Sequence, residues 1–182
     1  MAIKTTVAQR AMGKAFLKLL GAKNNSKMIY AIIAWTLCEG ASPKANNPWN
    51  YHYGSYCPKD HPSEIKGFAH SQRLPADPAF PGVIGNYYAA PSDQNVAIYA
   101  TITDGLRTSA ENLLSGLTPA RSWTGYGPVV LAARRGDPGA FCDALAKSKW
   151  AADKYGTKNG GPNRIKQVYS EIVVDLGDWY QL

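Results

Sequence analysis

The sequence is poor in cysteine and contains no long uninterrupted apolar run. Its three cysteines, Cys38, Cys57 and Cys142, are an odd number in a chain of 182 residues. A chain of this length can build a core without covalent cross-links, so a disulfide scaffold is not expected, although a single bridge stays open. No segment reaches the roughly 18 apolar residues of a membrane-spanning helix. We therefore predict no membrane span.

The N-terminal residues have the basic start of a signal peptide but lack its apolar centre. Lys14 and Lys18 interrupt the apolar residues between positions 15 and 20, whereas a signal peptide needs about 7–15 uninterrupted ones. We predict no signal peptide, and export would need another route. The segment fits a short amphipathic helix instead, because five apolar side chains fall roughly on one face: Val7, Met12, Phe16, Leu19 and Leu20.

The motifs that would indicate a cofactor or a metal are also missing. The Gly-Gly pair at 160–161 is not followed by the Lys-Ser/Thr of a phosphate-binding loop. His52, Cys57, His61 and His70 are separated by four, three and eight residues, a spacing that matches no standard zinc site. We predict no cofactor and no metal, with a structural zinc in this loop as the less favoured alternative.

What the sequence does contain is typical of a folded domain with long loops. Hydrophobic residues make up 45% of the chain and aromatic residues 11%, which excludes a disordered protein. Seventeen glycines and twelve prolines indicate ordered loops between rather few regular elements. The net charge of +7 should attract polyanions. Because no nucleic-acid-binding motif is present, no specific nucleic-acid partner is predicted.

The pattern along the chain predicts a mainly α-helical fold of the α+β type. Residues 1–25 are an N-terminal amphipathic helix with a linker, and residues 26–182 are the main domain. Ser26 is a candidate N-cap for an apolar helix that runs from 27 to 39. Prolines break up residues 40–94, which form a coil-rich insert. Extended pieces are expected at 83–84 and 96–101. A helix capped by Thr103 or Asp104 is expected at 103–116, followed by a turn or short helix at Thr118-Pro119. Further helices are expected at 128–135, 138–146 and 163–174.

Glu39 ends the apolar helix and is followed directly by Gly40. Apolar surroundings disfavour a carboxylate anion, and the partial negative charge at a helix C-terminus disfavours it again. Both effects raise the pKa of Glu39. A carboxylic acid that stays protonated near neutral pH can protonate a leaving oxygen, as a glycosidase requires. The plain alternative is a solvated glutamate at a helix end.

Three blocks of sequence around this residue occur together in one known family. The first is Trp35-x-x-x-Glu39-Gly40 followed by Asn46-Asn47-Pro48-Trp49-Asn50. The second is Val96-Ala97-Ile98-Tyr99 followed by Gly105, Ala110 and Leu113, and the third runs from Phe141 through Trp150-Ala151 to Tyr155-Gly156. In this order they resemble the lysozyme-like muralytic domains of bacteriophage virion proteins and lysins. The chain departs from that pattern at Tyr51-His52-Tyr53 and in the long loop 54–94.

The resemblance implies a lysozyme-like fold, with Glu39 at a helix end in a helical lobe and the insert as the opposite wall of a cleft. It implies a peptidoglycan-degrading glycosidase that cleaves β-1,4 bonds between amino sugars, with Glu39 as the general acid. Asn47 and Asn50 are expected to bind the acetamido groups of the substrate, and Trp49 and Tyr99 to stack on its sugar rings.

The second catalytic group is left open by the sequence. Asp60, Glu64, Asp77 and Asp93 lie in the insert, and for each one a solvated loop charge is the favoured interpretation. The alternative is that no second carboxylate takes part. The substrate's own 2-acetamido or 6-hydroxyl group then attacks, as the resemblance to lytic transglycosylases of similar fold implies. Hydrolysis and transglycosylation both remain open.

The same resemblance implies where the protein acts. Its partners would be bacterial peptidoglycan and other phage tail proteins, and it would be found in the virion or be released from the host cell at lysis. The alternative hypothesis is a non-catalytic structural protein of the virion that retains a lysozyme-like fold. Accessibility of Glu39 distinguishes the two hypotheses, because only the enzyme needs it open to substrate.

Overall fold

A computed structural model describes residues 3–40, 43–89, 93–150, 155 and 162–174. These residues form a mixed α+β structure with a small antiparallel sheet, which agrees with the predicted α+β type. The α-helices are α1 (Val7–Leu19), α2 (Ser26–Glu39), α3 (Ile102–Ser115), α4 (Tyr126–Arg135), α5 (Pro138–Lys147) and α6 (Arg164–Val174). The strands are β1 (Ser71–Arg73), β2 (Val83–Ala89) and β3 (Asp93–Tyr99), and short 3-10 helices span Pro43–Ala45 and Pro119–Thr124.

The chain separates into two compact units. The helical unit contains Met1–Cys38 and Ala110–Leu182, and the insert unit contains Glu39–Ser109. The helix α1 and the residues of α2 up to Cys38 belong to the same unit. In the part of the chain that the structure describes, no helix has the length and apolar character needed to cross a bilayer.

The amphipathic helix expected near the N-terminus is α1. Thr6 and Gln9 form a capping box at its start, which satisfies backbone N–H groups that have no partner within the helix. The buried stripe differs in part from the predicted one and consists of Gly13, Phe16, Leu17 and Leu20. The prediction for Val7 is wrong, because its side chain is 74% exposed. Six residues before Gly13, it is rotated by about 120° from the stripe.

The apolar helix α2 forms the centre of the helical unit. Its N-cap is Asn25 rather than Ser26, because Asn25 Oδ1 accepts from the backbone N–H groups of Lys27 (2.9 Å) and Met28 (3.4 Å). Trp35 is fully buried, and its indole N–H donates to the Tyr155 hydroxyl over 2.9 Å. Three further rings pack around Trp35 with centroid separations of 5.1–6.2 Å: Phe16, Phe141 and Trp150. These contacts fix the helix four residues before Glu39.

The later helices follow the predicted signals closely. Asp137 Oδ1 accepts from the Ala140 backbone N–H over 2.8 Å and Pro138 is the first helical residue, which confirms the predicted start of α5. The cap of α3 is Thr101, two or three residues earlier than predicted. Thr101 Oγ1 accepts from the Asp104 backbone N–H (3.2 Å) and donates to the Asp104 carboxylate (2.6 Å). Thr103 and Asp104 are therefore inside the helix.

The insert unit is built on the sheet, whose strand order is β1-β2-β3 with antiparallel pairing throughout. Val83 pairs with Tyr99 and Tyr87 with Val96, so the two predicted extended pieces are neighbours. The sheet and the loops around it bury two apolar clusters. One contains Ala45, Ile65, Phe68 and Ile98; the other contains Val83, Ala97 and Tyr99, with Tyr53, Leu74 and Phe80 packed against it.

Candidate functional site

Glu39 is the last residue of α2, as predicted, and Gly40 ends the helix with a left-handed φ of 59°. The Glu39 side chain is half-buried, and its Oε2 atom is inaccessible to solvent. The last carbonyl groups of a helix have no hydrogen-bond donor within it. At Glu39 the donor comes from the following loop, because Asn50 Nδ2 donates to the Glu39 carbonyl oxygen over 2.8 Å. The loop is thereby tied to the residue that ends the helix.

Each asparagine of the Asn-Asn-Pro-Trp-Asn segment has a structural role in the loop. Asn46 and Asn50 adopt left-handed φ values of 53° and 50°, a conformation that asparagine tolerates better than most residues. Asn46 Nδ2 also donates to the carbonyl oxygens of Tyr99 (3.0 Å) and Ala100 (3.2 Å). Sequence reasoning did not select Asn46 as a site residue. The signal was available in its residue type, because asparagine tolerates the left-handed conformation that tight loops need.

Asn47 is only 1% exposed and connects the loop to the sheet. Its Nδ2 donates to the carbonyl oxygens of Tyr51 (2.9 Å) and Ala97 (3.0 Å), and its Oδ1 accepts from the Tyr51 backbone N–H (2.9 Å). These bonds occupy both ends of the amide. In this structure Asn47 positions the loop and offers no free face to an acetamido group.

Trp49 and Tyr99 are also buried, each with 1% of its surface exposed. Burial raises the pKa of the Tyr99 hydroxyl. Next to Tyr99, the Asn46 carbonyl oxygen lies so close to Gly105 that a Cβ atom at Gly105 would overlap it. Stacking on sugar requires an accessible ring face, which neither aromatic residue has here. Their position favours a role in supporting the loop that follows Glu39.

The candidate second carboxylates occupy different environments. Asp60 is exposed. Glu64 Oε2 accepts from the Arg73 backbone N–H over 2.7 Å, and Glu64 Oε1 lies 3.9 Å from His61 Nε2. Asp77 accepts from the Tyr53 hydroxyl and, over 2.8 Å, from the Ala79 backbone N–H. The Asp93 side chain lies outside the described residues. Glu64 and Asp77 thus already bind groups within the insert.

Two of the insert's histidines, His61 and His70, and its cysteine, Cys57, bind backbone oxygens. Cys57 Sγ donates to the His70 carbonyl (3.0 Å), His61 Nδ1 lies 2.8 Å from the Pro62 carbonyl, and His70 Nδ1 lies 3.1 Å from the His61 carbonyl. A ring nitrogen facing a carbonyl oxygen must carry the proton. Among the residues that the structure describes, no three His, Cys, Asp or Glu side chains come together as a metal site. Cys57, His61 and His70 cross-link the loop through these hydrogen bonds.

A hydrogen bond between Tyr53 and Asp77 joins two loops of the insert, and the sequence did not reveal it. The bond lowers the pKa of Asp77 and raises that of Tyr53. The Tyr53 ring packs on Phe80 with a centroid separation of 4.4 Å, and the Tyr51 ring lies 6.5 Å from Phe80. Tyr51 and Tyr53 remain partly exposed. They are aromatic residues near the Glu39 loop that keep some accessible surface.

Removing the Tyr53 hydroxyl should reduce the loss of folding stability that occurs as pH falls. Because the pKa of Asp77 is lowered in the folded state, its ionisation favours folding above the unfolded pKa, and this contribution is lost as pH falls through the folded value. We expect Tyr53→Phe to be less stable near pH 7 and to lose less stability on acidification than wild type. Thermal melts between about pH 7 and pH 3 measure this difference. Tyr56→Phe, at a residue 56% exposed, is the control; equal profiles for both variants would contradict the role of the bond.

Two substitutions at Asn50 separate the effect of its left-handed conformation on stability from the effect of its bond to Glu39. Asn50→Gly keeps the left-handed conformation but removes the bond to the Glu39 carbonyl, and we expect a loss of about 1 kcal/mol. Asn50→Ala also imposes the left-handed strain of about 1–2 kcal/mol. Urea unfolding should therefore rank the variants wild type, Gly, Ala in order of decreasing stability. Equal stability of all three would show that Asn50 does not hold the loop.

Comparison with protein-family models, with curated proteins and with solved structures finds no match for this chain.

Proposed function

We propose that this protein is a glycosidase that cleaves β-1,4 bonds between amino sugars of bacterial peptidoglycan, with Glu39 as the general acid. The observation that carries the proposal is the position of Glu39. It ends an apolar helix that aromatic packing holds at Trp35, it has a buried carboxyl oxygen, and the Asn46–Asn50 loop is bonded to its carbonyl. The three sequence blocks that resemble phage muralytic domains support the choice of substrate.

The chemistry assigned to Glu39 is proton donation to the glycosidic oxygen. As the bond between the anomeric carbon and that oxygen breaks, the oxygen takes the proton of Glu39 and leaves as a hydroxyl group. Positive charge develops on the sugar ring, as in an oxocarbenium ion. Attack of water on the anomeric carbon gives hydrolysis, and attack by the sugar's own 6-hydroxyl group gives a 1,6-anhydro product. In either route the attacking oxygen releases a proton, to the Glu39 carboxylate or to solvent, and Glu39 regains the proton it donated. Both routes use the same first proton transfer from Glu39.

Substrate contacts are assigned to residues that keep accessible surface. Asn50, Tyr51 and Tyr53 are partly exposed, whereas Asn47, Trp49 and Tyr99 lie in the interior. We therefore place the sugar near the exposed side of the loop, with the buried residues as its support. The net charge of +7 would hold the protein near the anionic cell wall through a weak attraction that salt screens.

One observation favours the non-catalytic alternative, a structural virion protein. Asn47, Trp49 and Tyr99 belong to the blocks that resemble the muralytic family, and here all three serve the fold. Such residues would be retained even if catalysis had been lost. The two functions differ in one measurable property, because only the glycosidase releases fragments from purified cell walls.

The pH profile of activity provides a test specific to a half-buried acid. Burial and the helix C-terminus both favour the protonated form of Glu39, so activity should persist to near-neutral pH. It should then fall as pH rises through the pKa of Glu39, since the ionised form cannot donate a proton. The measurement is kcat against pH on a soluble oligosaccharide, which removes wall attraction from the result. If activity falls at a midpoint of about pH 4.3, the pKa of an ordinary glutamate, the environment proposed for Glu39 is wrong.

A further inference from the structure

The positive charge of the protein is concentrated in its first 38 residues. This segment contains six basic side chains and no acidic one. The remaining 14 of the chain's 20 basic residues are nearly balanced by all 13 acidic residues. The excess charge therefore belongs to residues 1–38, which are part of the helical unit.

The outer side of α1 and the turn after it form an open groove of about 490 Å³. Its lining is mainly apolar and includes Ala11, Ala15, Leu17 and Ala22. The charged residues of the lining are both basic, Lys14 and Lys18. Both lysine side chains are exposed. Lysine can lay its aliphatic stem along apolar surface while its ammonium group stays in water. The groove thus combines an apolar floor with a positively charged rim.

The start of α1 is capped, and an arginine lies beside the turn that follows the helix. The capping box at Thr6 fixes the start of α1, and the buried stripe of α1 is already used by the core. Arg134 Nε donates to the Leu20 carbonyl oxygen over 2.9 Å, and a Cβ atom at Gly21 would lie 3.5 Å from the Arg134 guanidinium. A third positive group, outside the groove lining, is therefore held beside the turn that follows α1.

We propose that this groove is a docking site for an acidic amphipathic helix of a partner protein. Apolar side chains spaced at i, i+3 and i+4 would enter the alanine-lined floor, and flanking carboxylates would meet Lys14 and Lys18. A plain polyanion would use the charge but gain nothing from the apolar floor. A membrane-bound helix needs large apolar side chains turned outward, whereas Phe16, Leu17 and Leu20 of this segment are buried and the exposed apolar residues of the groove are alanines. This proposal is independent of the glycosidase proposal, since Glu39 belongs to the other unit.

The test begins with selection from a display library of random peptides on the full-length protein. We expect the enriched peptides to be acidic, with apolar residues at helical spacing. The best peptide is then synthesised, and its affinity is measured by fluorescence anisotropy at low ionic strength. Lys14→Glu combined with Lys18→Glu should weaken binding about tenfold or more, because attraction becomes repulsion at two rim positions.

Two further variants separate the contributions of charge and shape. Lys147→Glu combined with Lys149→Glu changes the net charge equally at exposed residues outside the groove lining, and should change affinity less than about threefold. Ala15→Trp fills the groove without altering charge and should weaken binding as well. Ala15 is exposed, so this variant is expected to fold, and melting curves check all three proteins.

Defined outcomes would overturn the docking proposal. The proposal is wrong if the enriched peptides lack acidic residues. It is also wrong if neither the Lys14 and Lys18 substitutions nor Ala15→Trp changes the affinity, because the contact then lies elsewhere. Polyphosphate, and vesicles of equal parts phosphatidylcholine and phosphatidylglycerol, are measured in parallel. If either binds through Lys14 and Lys18 while no peptide does, the surface recognises a polyanion or an anionic membrane instead. None of these results depends on wall cleavage, so they leave the glycosidase proposal unaffected.

Discussion

Glu39→Gln should abolish cell-wall lysis while the protein stays folded. The amide keeps the size and polarity of the side chain but cannot donate the catalytic proton, and loss of a general acid costs about 10²–10⁴ in rate. The bond from the Asn50 side-chain amide to the Glu39 backbone carbonyl oxygen does not involve the carboxyl group, so the loop should keep its position. Clearing of purified walls, followed by light scattering, measures the effect.

The matched control is the same substitution at an exposed glutamate of α3. Glu111→Gln removes one negative charge at a solvent-exposed position, and we expect wall clearing within about twofold of wild type. This control accounts for the small change in attraction to the wall. If Glu39→Gln also clears walls within a factor of about two to three, far less than a general acid contributes, Glu39 is not the general acid.

Trp49→Ala should cause the largest loss of stability among the changes considered. The sequence suggested a ring that stacks on sugar, for which binding would suffer more than folding. Because Trp49 is 1% exposed, we now expect a loss of about 3–5 kcal/mol, typical of an aromatic residue truncated in a core. In a protein of this size that corresponds to a melting temperature lower by about 6–20 °C.

An exposed tryptophan provides the comparison for that measurement. Trp123 is 67% exposed, and Trp123→Ala should change stability by no more than about 0.5 kcal/mol. Melting curves for both variants, together with oligosaccharide binding per folded molecule, separate core packing from sugar stacking. If Trp49→Ala has normal stability but binds oligosaccharide more weakly, Trp49 is a substrate-binding residue and the core role is wrong.

Local signals predicted the helices better than they predicted the caps and short strands. Asp137-Pro138 is a cap followed by proline at the first helical position, and the helix begins there. Ser26 and Thr103 are equally good cap residues by type, but Asn25 and Thr101 make the bonds. The choice between neighbouring polar residues depends on where the preceding loop enters, which lies beyond local sequence. β1 is three residues long, Ser71–Arg73, too short for a periodic pattern.

In the site, the position of Glu39 followed from the sequence, whereas the roles of the aromatic residues did not. A helix end is a local feature, and Gly40 with an apolar run before it was sufficient to place Glu39 there. Whether Trp49 and Tyr99 stack on sugar or fill a core depends on packing with distant strands. The bond between Tyr53 and Asp77 joins residues 24 positions apart, and nothing in either local segment indicates the other.

The central claim is that this chain cleaves the amino-sugar backbone of peptidoglycan through Glu39. Mass spectrometry of purified peptidoglycan, incubated with wild type or with Glu39→Gln, tests it most directly. We predict disaccharide-peptide fragments from the wild type, with reducing ends after hydrolysis or 1,6-anhydro ends after transglycosylation, and no such fragments from the variant. Intact peptidoglycan after incubation with folded wild-type protein, or the same fragments from both proteins, would contradict the claim.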